Sequence, residues 1–316
     1  MGDKKRRSLL AFRGMETPVS NKKILITGAT GATGSSAIET LLALNIPVRA
    51  FVHKRDARSQ QLSAKGVEVV QGDLSDFEAV SEALTGITGA YFVYPIQVPG
   101  LLEATAFFAQ AALEQGVGAI VNMSQASARR SAKSHAAQNH WIAERVLDRS
   151  GVPVTHLRPT LFAEWIMYMA GAIRDKKILP LAFGDARYAP VAGEDLGRVI
   201  AAILKDPAQY AGKTYPLYGS REVSQYEIAD MLTQVLGNKI TYLPMEIEPF
   251  KTLLKELGFT PYFQQHMGYV CQDCLDGVFS GTNDLVKKLT GREPLEMMDY
   301  IVKNEALFGA PVAVHE

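Results

Sequence analysis

The chain has 316 residues, 47% hydrophobic and 21% charged, enough for one large domain or two smaller ones. Its 33 basic residues balance its 33 acidic ones, so nothing global favours nucleic acid or an anionic membrane, and neither is expected as a partner. No apolar run approaches the roughly 20 residues of a spanning helix. The 2 cysteines, Cys271 and Cys274, are too few for a tetrahedral zinc site, and no metal is expected.

Residues 1–20 stand apart, with the basic run Lys4-Lys5-Arg6-Arg7, then Leu9, Leu10, Phe12 and Pro18. They read as a disordered basic extension, in part an upstream start before Met15, or else as a nuclear or organellar address. Gly2 is in place for myristoylation, but Arg6 occupies the Ser/Thr position of that motif.

The stretch Lys22 to Gly34, KKILITGATGATG, organises the rest of the chain. Ile24, Leu25 and Ile26 form the short apolar run of a buried parallel strand. The glycines then lead into a helix from Ser35 to Asn45. A strand that turns through glycines into a helix N-terminus presents free backbone N–H groups and a positive dipole end to a phosphate. Gly28 suits the tight turn, Gly31 the approach of a pyrophosphate, and Gly34 close helix packing. The spacing is GxxGxxG rather than GxGxxG.

From there strand and helix alternate, as in a doubly wound α/β Rossmann sheet. Strands are predicted at 47–53, 67–71, 89–94, 119–123 and 154–158, with helices at 55–65, 77–84, 101–115 and about 138–149 between them. After Pro159 the rhythm breaks. A helix is predicted from 162 to 174, a loop with short extended pieces from 178 to 190, a helix from 195 to 204 and a strand from 214 to 218. Ser224 with Glu227 makes a capping box for a helix ending at Leu236, and 240–308 reads as mostly helical. The expected division is a dinucleotide-binding domain over 21–160 and a smaller, mostly helical substrate lobe over 161–316. Strand 214–218 is expected to return to the first sheet.

In NAD enzymes an acid at the end of the second strand holds the ribose 2′-OH. Here that place reads Val52-His53-Lys54-Arg55. Positive side chains suit a 2′-phosphate instead, so NADP(H) is expected over NAD(H). Asp73, before Leu74 at the end of the third strand, is placed to accept from the adenine amino group or to cap the next helix.

HWIAERVLDRSGVPVTHLRPTLFAEW, residues 140–165, resembles the segment ExxLxxSGxPxTxLRPxxFxE of NmrA-like proteins, atypical members of the short-chain dehydrogenase/reductase superfamily. The likeness extends from about Lys22 past Glu293. It implies a Rossmann domain, a small C-terminal lobe and a cleft between them, in NADPH-dependent quinone and dye reductases or in redox sensors that bind NADP and do no chemistry. By that resemblance Gly28, Thr30, Gly31, Ala32, Thr33 and Gly34 hold the pyrophosphate. Tyr94, Pro95 and Ser124 line the nicotinamide side, and Pro159 to Phe162 close over it.

The superfamily's Ser, Tyr and Lys are incomplete. His140 stands where the lysine belongs, and Ala136 where the tyrosine belongs. With the phenolic acid missing, ordinary ketone chemistry is not expected, nor is an epimerase that needs the tyrosine as base. A quinone, azo dye or triarylmethane cation spreads incoming charge and needs a strong proton donor less. Ser124 and His140 remain as catalytic candidates. His140 is placed to bond the ribose or to supply a proton near neutral pH, or to pair with Glu144 one turn on.

Phe162, Trp165, Met167, Tyr168 and Met169 are mostly core, with Phe162 and Trp165 on one helical face as an apolar wall for an aromatic substrate. The CxxC of Cys271 and Cys274 lacks the strand-to-helix entry of a redox dithiol and reads as incidental thiols in a reducing, cytoplasmic setting. The expectation is an NADPH-dependent oxidoreductase of a conjugated acceptor, monomer or dimer, with a non-catalytic NADP(H) sensor as the alternative.

Overall fold

The computed structural model describes residues 22–309. The basic extension expected over 1–20 lies outside the described residues.

Seven strands form a parallel sheet in the order β3-β2-β1-β4-β5-β6-β8. They are β1 Ile24–Ile26, β2 Val48–Val52, β3 Glu68–Gln71, β4 Gly89–Phe92, β5 Ile120–Met123, β6 Val154–Pro159 and β8 Thr214–Leu217. Strands β1, β4 and β5 are buried on both faces, which explains their unbroken apolar runs. The order reverses between β1 and β4, and there the carboxyl ends of neighbouring strands splay their connecting loops apart.

Helices cover both faces. On one, α1 (Ala32–Ala43) packs on α6 (Gly193–Lys205) and α6 on α10 (Leu285–Thr290). The close crossing of α1 and α6 depends on Gly197, where a Cβ would lie 2.7 Å from the Ala37 backbone nitrogen. On the other face are α3 (Phe77–Leu84), α4 (Leu101–Glu114) and α5 (His135–Asp148). The short α2 (Ala57–Ala64) links β2 to β3.

A separate core joins β7 (Ile178–Leu181), α7 (Gln225–Leu236), β9 (Thr241–Pro244), α8 (Ile247–Glu256), α9 (Pro261–Leu275), α11 (Met297–Lys303) and α12 (Glu305–Phe308). Segments from late in the chain therefore serve both cores. Helix α6, β8 and α10 complete the sheet layer, while their sequence neighbours build the second core.

Ser224 and Glu227 form the capping box expected of α7. The stretch 240–308 is mostly helical as expected, with the short strand β9 at its start. That strand pairs in parallel with β7, a partner about sixty residues away that no local pattern announces. The expected helix over 162–174 forms from Ala163 on, though not as a regular α-helix. Phe162 is extended (φ −73°, ψ 146°), because Ala163 N–H bonds to Val191 O and Val191 N–H to Leu161 O. A 3₁₀ turn (Ala163–Met169) and a π turn (Ala172–Lys176) come after it.

Candidate active site

A cavity of about 800 Å³ opens at the carboxyl ends of the strands, towards the upper end of the usual range for ligand sites. Gly28 to Thr33 form one end of it. Gly28 takes φ +57°, and a Cβ there would come 2.5 Å from a Val93 methyl carbon. Thr27 fixes the turn to the next strand, its Oγ1 accepting from Val93 N–H at 2.9 Å and donating to Tyr91 O at 3.1 Å. Gly31 caps α1 without a side-chain bond, and α1 carries no acid in its first turn. The first amides of α1 are thus left for a ligand anion. Gly34 does not border the cavity. A Cβ on it would sit 2.8 Å from the Gly28 carbonyl carbon and 2.9 Å from Ala29 Cα, so its work is close packing of α1 under the loop.

Beside this loop stand His53, Asp73 and Leu74. His53 Nδ1 lies 3.4 Å from an Asp73 carboxylate oxygen, with both side chains exposed. Asp73 does not cap α3. It accepts from Ser75 N–H at 2.9 Å and Ser75 Oγ at 2.7 Å, bonds that hold its carboxyl below the usual range, and Asp76 is the cap. Lys54 and Arg55, expected to grip a 2′-phosphate, are exposed and do not border the cavity. Arg55 is turned back onto β3, donating to Val69 O at 2.9 Å.

Tyr94, Pro95, Ser124, Pro159 and His140 all line the cavity. Tyr94 donates its hydroxyl to Pro99 O at 3.0 Å. Ser124 is buried and donates to Glu144 Oε1 at 2.6 Å. Glu144 has 0% exposure and also accepts from Arg158 Nε at 2.8 Å. Burial pushes its carboxyl up, but the Arg158 and Ser124 hydrogen bonds outweigh burial and hold it below the usual range.

Glu144 is therefore engaged by Ser124 and Arg158, and the expected His140–Glu144 pair does not form. The Nδ1 of His140 is buried without a hydrogen-bond partner. Burial pushes the imidazole down to about 4, against a smaller opposing effect of Glu144. Burial thus favours the uncharged imidazole at neutral pH.

The far end of the cavity is aromatic. Phe162 and Trp165 both border it, although they do not share a helical face. Trp165 stacks on Phe263 with ring planes 15° apart and meets Tyr168 edge-on. Tyr168 accepts from Gln97 Nε2 at 2.9 Å. Gln97, His266, Val270 and Phe279 complete this wall, and no local pattern in the sequence marks them. The last three reach the cavity because α9, which packs against α5, and the segment after it form part of its lining. Glu164 also borders the cavity. It accepts from Gly193 N–H at 2.9 Å, its Oε2 has no partner, and burial raises its pKa.

The thiols of Cys271 and Cys274 are free and buried within α9, and burial pushes that of Cys274 up to about 12.

Residues 20–280 match the model of the NmrA-like family. The chain belongs to the NmrA-like family. Among its relatives is the NAD(P)H azoreductase of Xenophilus azovorans, 27% identical over 91% of this chain and 99% of that one. The NADPH-dependent quinone oxidoreductase of Escherichia coli, solved with NADPH, superposes with a TM-score of 0.80 at 26% identity, covering 89% of this chain and 99% of that one. The triphenylmethane reductase of Citrobacter sp., solved with NADP(H), gives 0.76 at 26% identity with the same coverage, 89% and 99%. No helix among the described residues is long and apolar enough to cross a membrane.

Proposed function

We propose that this chain is an NADPH-dependent reductase that delivers hydride to a conjugated, aromatic or quinoid acceptor without a phenolic proton donor. The observation that carries this reading is one continuous cavity with two unlike ends: free helix amides at 28–33, and an aromatic wall of Phe162, Trp165 and Tyr168.

The residues fit NADP(H). Gly28 to Thr33 receive the pyrophosphate through backbone N–H groups. Asp73 and Leu74 flank the adenine, and Tyr94, Pro95, Ser124, His140 and Pro159 surround the nicotinamide. His53 lies beside the ribose phosphate, and Lys54 and Arg55 reach it once Arg55 leaves the Val69 carbonyl. The cofactor supplies the hydride. The protein would exclude water and orient the acceptor beside the cofactor, with Phe162 and Trp165 holding the acceptor. The Ser124–Glu144–Arg158 bonds hold Ser124 in place behind the cavity and pair the buried Glu144 carboxylate.

NADPH consumption, followed by absorbance against a panel of quinones, azo dyes and triarylmethane dyes, tests the proposal. Turnover with at least one class is expected. Tight cofactor binding with no turnover of any acceptor would favour the sensor reading, whose support is the absent Tyr–Lys pair. In that case NADP⁺ and NADPH would bind with similar affinity.

A further inference from the structure

We infer that His266, held in one tautomer by Ser134, anchors the carbonyl oxygen of a neutral acceptor through its Nε2–H. This deepens the reductase reading and rests on it.

Ser134 caps α5, and its Oγ accepts from Ala137 N–H at 3.1 Å. The same Oγ lies 2.8 Å from His266 Nδ1, with both groups buried. Among the described residues Ser134 Oγ has no other partner, so its hydroxyl proton goes to Nδ1. An Nδ1 that accepts leaves the proton of a neutral imidazole on Nε2. Burial, reinforced by the neighbouring His140, pushes His266 down to about 3, so the ring is neutral across the working range. Nε2 has no hydrogen-bond partner among the described residues, on a ring that borders the cavity beside His140, Trp165 and Phe279.

The ring is also firmly placed. Helix α9 is tied to the sheet layer at several points along its length. Thr260 Oγ1 donates to Gln97 O at 2.8 Å, and Gln265 Nε2 donates to Lys133 O at 2.9 Å. Arg129 Nη1 donates to the buried Asp273 at 2.9 Å. A donor fixed on a rigid helix and unspent on protein suits charge that develops during reaction, because it needs no reorganisation.

A neutral N–H recognises an oxygen lone pair and offers nothing to a carbocation. When a quinone takes two electrons as the hydride of NADPH, negative charge gathers on the oxygen conjugated to the attacked atom. The Nε2–H meets that charge. A proton from water then completes the hydroxyl, giving hydroquinone and NADP⁺, and His266 neither gains nor loses a proton overall. A triarylmethane cation is reduced by hydride alone at carbon and develops no oxyanion.

The test compares a naphthoquinone with a triarylmethane cation in steady-state kinetics with the whole chain. His266→Phe is expected to lower kcat/KM for the naphthoquinone about 10²-fold, mostly in kcat, the size seen when one oxyanion donor is removed. The triarylmethane rate is expected to stay within about threefold, a difference too small to represent a lost donor. His266→Gln, which keeps a donor, should recover part of the loss. Equal losses for both acceptors, or an unchanged quinone rate, would overturn the anchor. If the parent protein reduces neither compound and no other acceptor of the panel, the reductase reading fails on its own. The anchor is then read from quenching of tryptophan fluorescence by the naphthoquinone in the NADP⁺-bound protein. About tenfold weaker binding in His266→Phe would support it, and unchanged binding would refute it.

Discussion

The two ends of the cavity are built on opposite principles. The glycine-loop end uses backbone: the free amides of α1, and glycines that admit no Cβ. The aromatic end uses side chains from segments as far apart as Gln97, Trp165 and His266. The contrast between α1 and α6 shows the same thing on a smaller scale. Helix α1 begins with an uncapped glycine and no acid, whereas α6 has Glu194 and Asp195 in its first turn and its Gly193 amide bonded by Glu164. Of these two helix N-termini, that of α1 is open to an anion, and a helix end becomes a phosphate site only when its amides are left unspent.

Where buried side chains rather than backbone support the cavity, truncation should cost most. Arg158→Met leaves Glu144 buried beside Ser124 without its main counter-charge, and a loss of about 3–5 kcal/mol in urea unfolding is expected. The depressed Glu144 carboxyl contributes stability above its unfolded value of 4.5 that fades as pH falls through the lower folded value, so the parent–variant gap should narrow in acid.

The backbone end should instead suffer from addition. Gly34→Ala places a Cβ against Gly28 and Ala29, and about 1–3 kcal/mol of destabilisation is expected, together with weaker NADPH binding in a fluorescence titration. A variant that binds normally would break the comparison, because the loop would then tolerate a side chain.

The uncharged character of the two cavity histidines has its own signature. His140 and His266 are pushed from 6.5 down to about 4 and about 3, mainly by burial. Below pH 6.5 the unfolded chain takes up protons that the folded chain refuses, so stability falls as pH drops towards 4. The expected slope is about 1 kcal/mol per pH unit for each histidine. Replacing both with Asn should flatten the thermal midpoint between those values.

Smaller again is the effect of Lys54→Ala. It should lower the preference for NADPH over NADH about tenfold, the worth of one charge-assisted phosphate contact, and direct titration of both cofactors measures it. The least effect is expected at Cys271 and Cys274. Their buried, protonated thiols should resist alkylation in the native protein, which mass spectrometry would show.

The sheet strands, the α1 turn and the α7 capping box were legible in the sequence because each is a local pattern of period, punctuation or cap. So was the missing acid after β2. Other features depend on partners distant in sequence: β9 on β7, the extended Phe162 on Val191, and the Glu144 carboxylate on Ser124 and Arg158. The tautomer of His266 is the clearest case. It is set by a hydroxyl 132 positions earlier in the chain, and only the packing of α9 against α5 brings the two within a hydrogen bond. Sequence spacing determines what a residue can do within one element, whereas burial and long-range contact decide which proton it carries and what it faces.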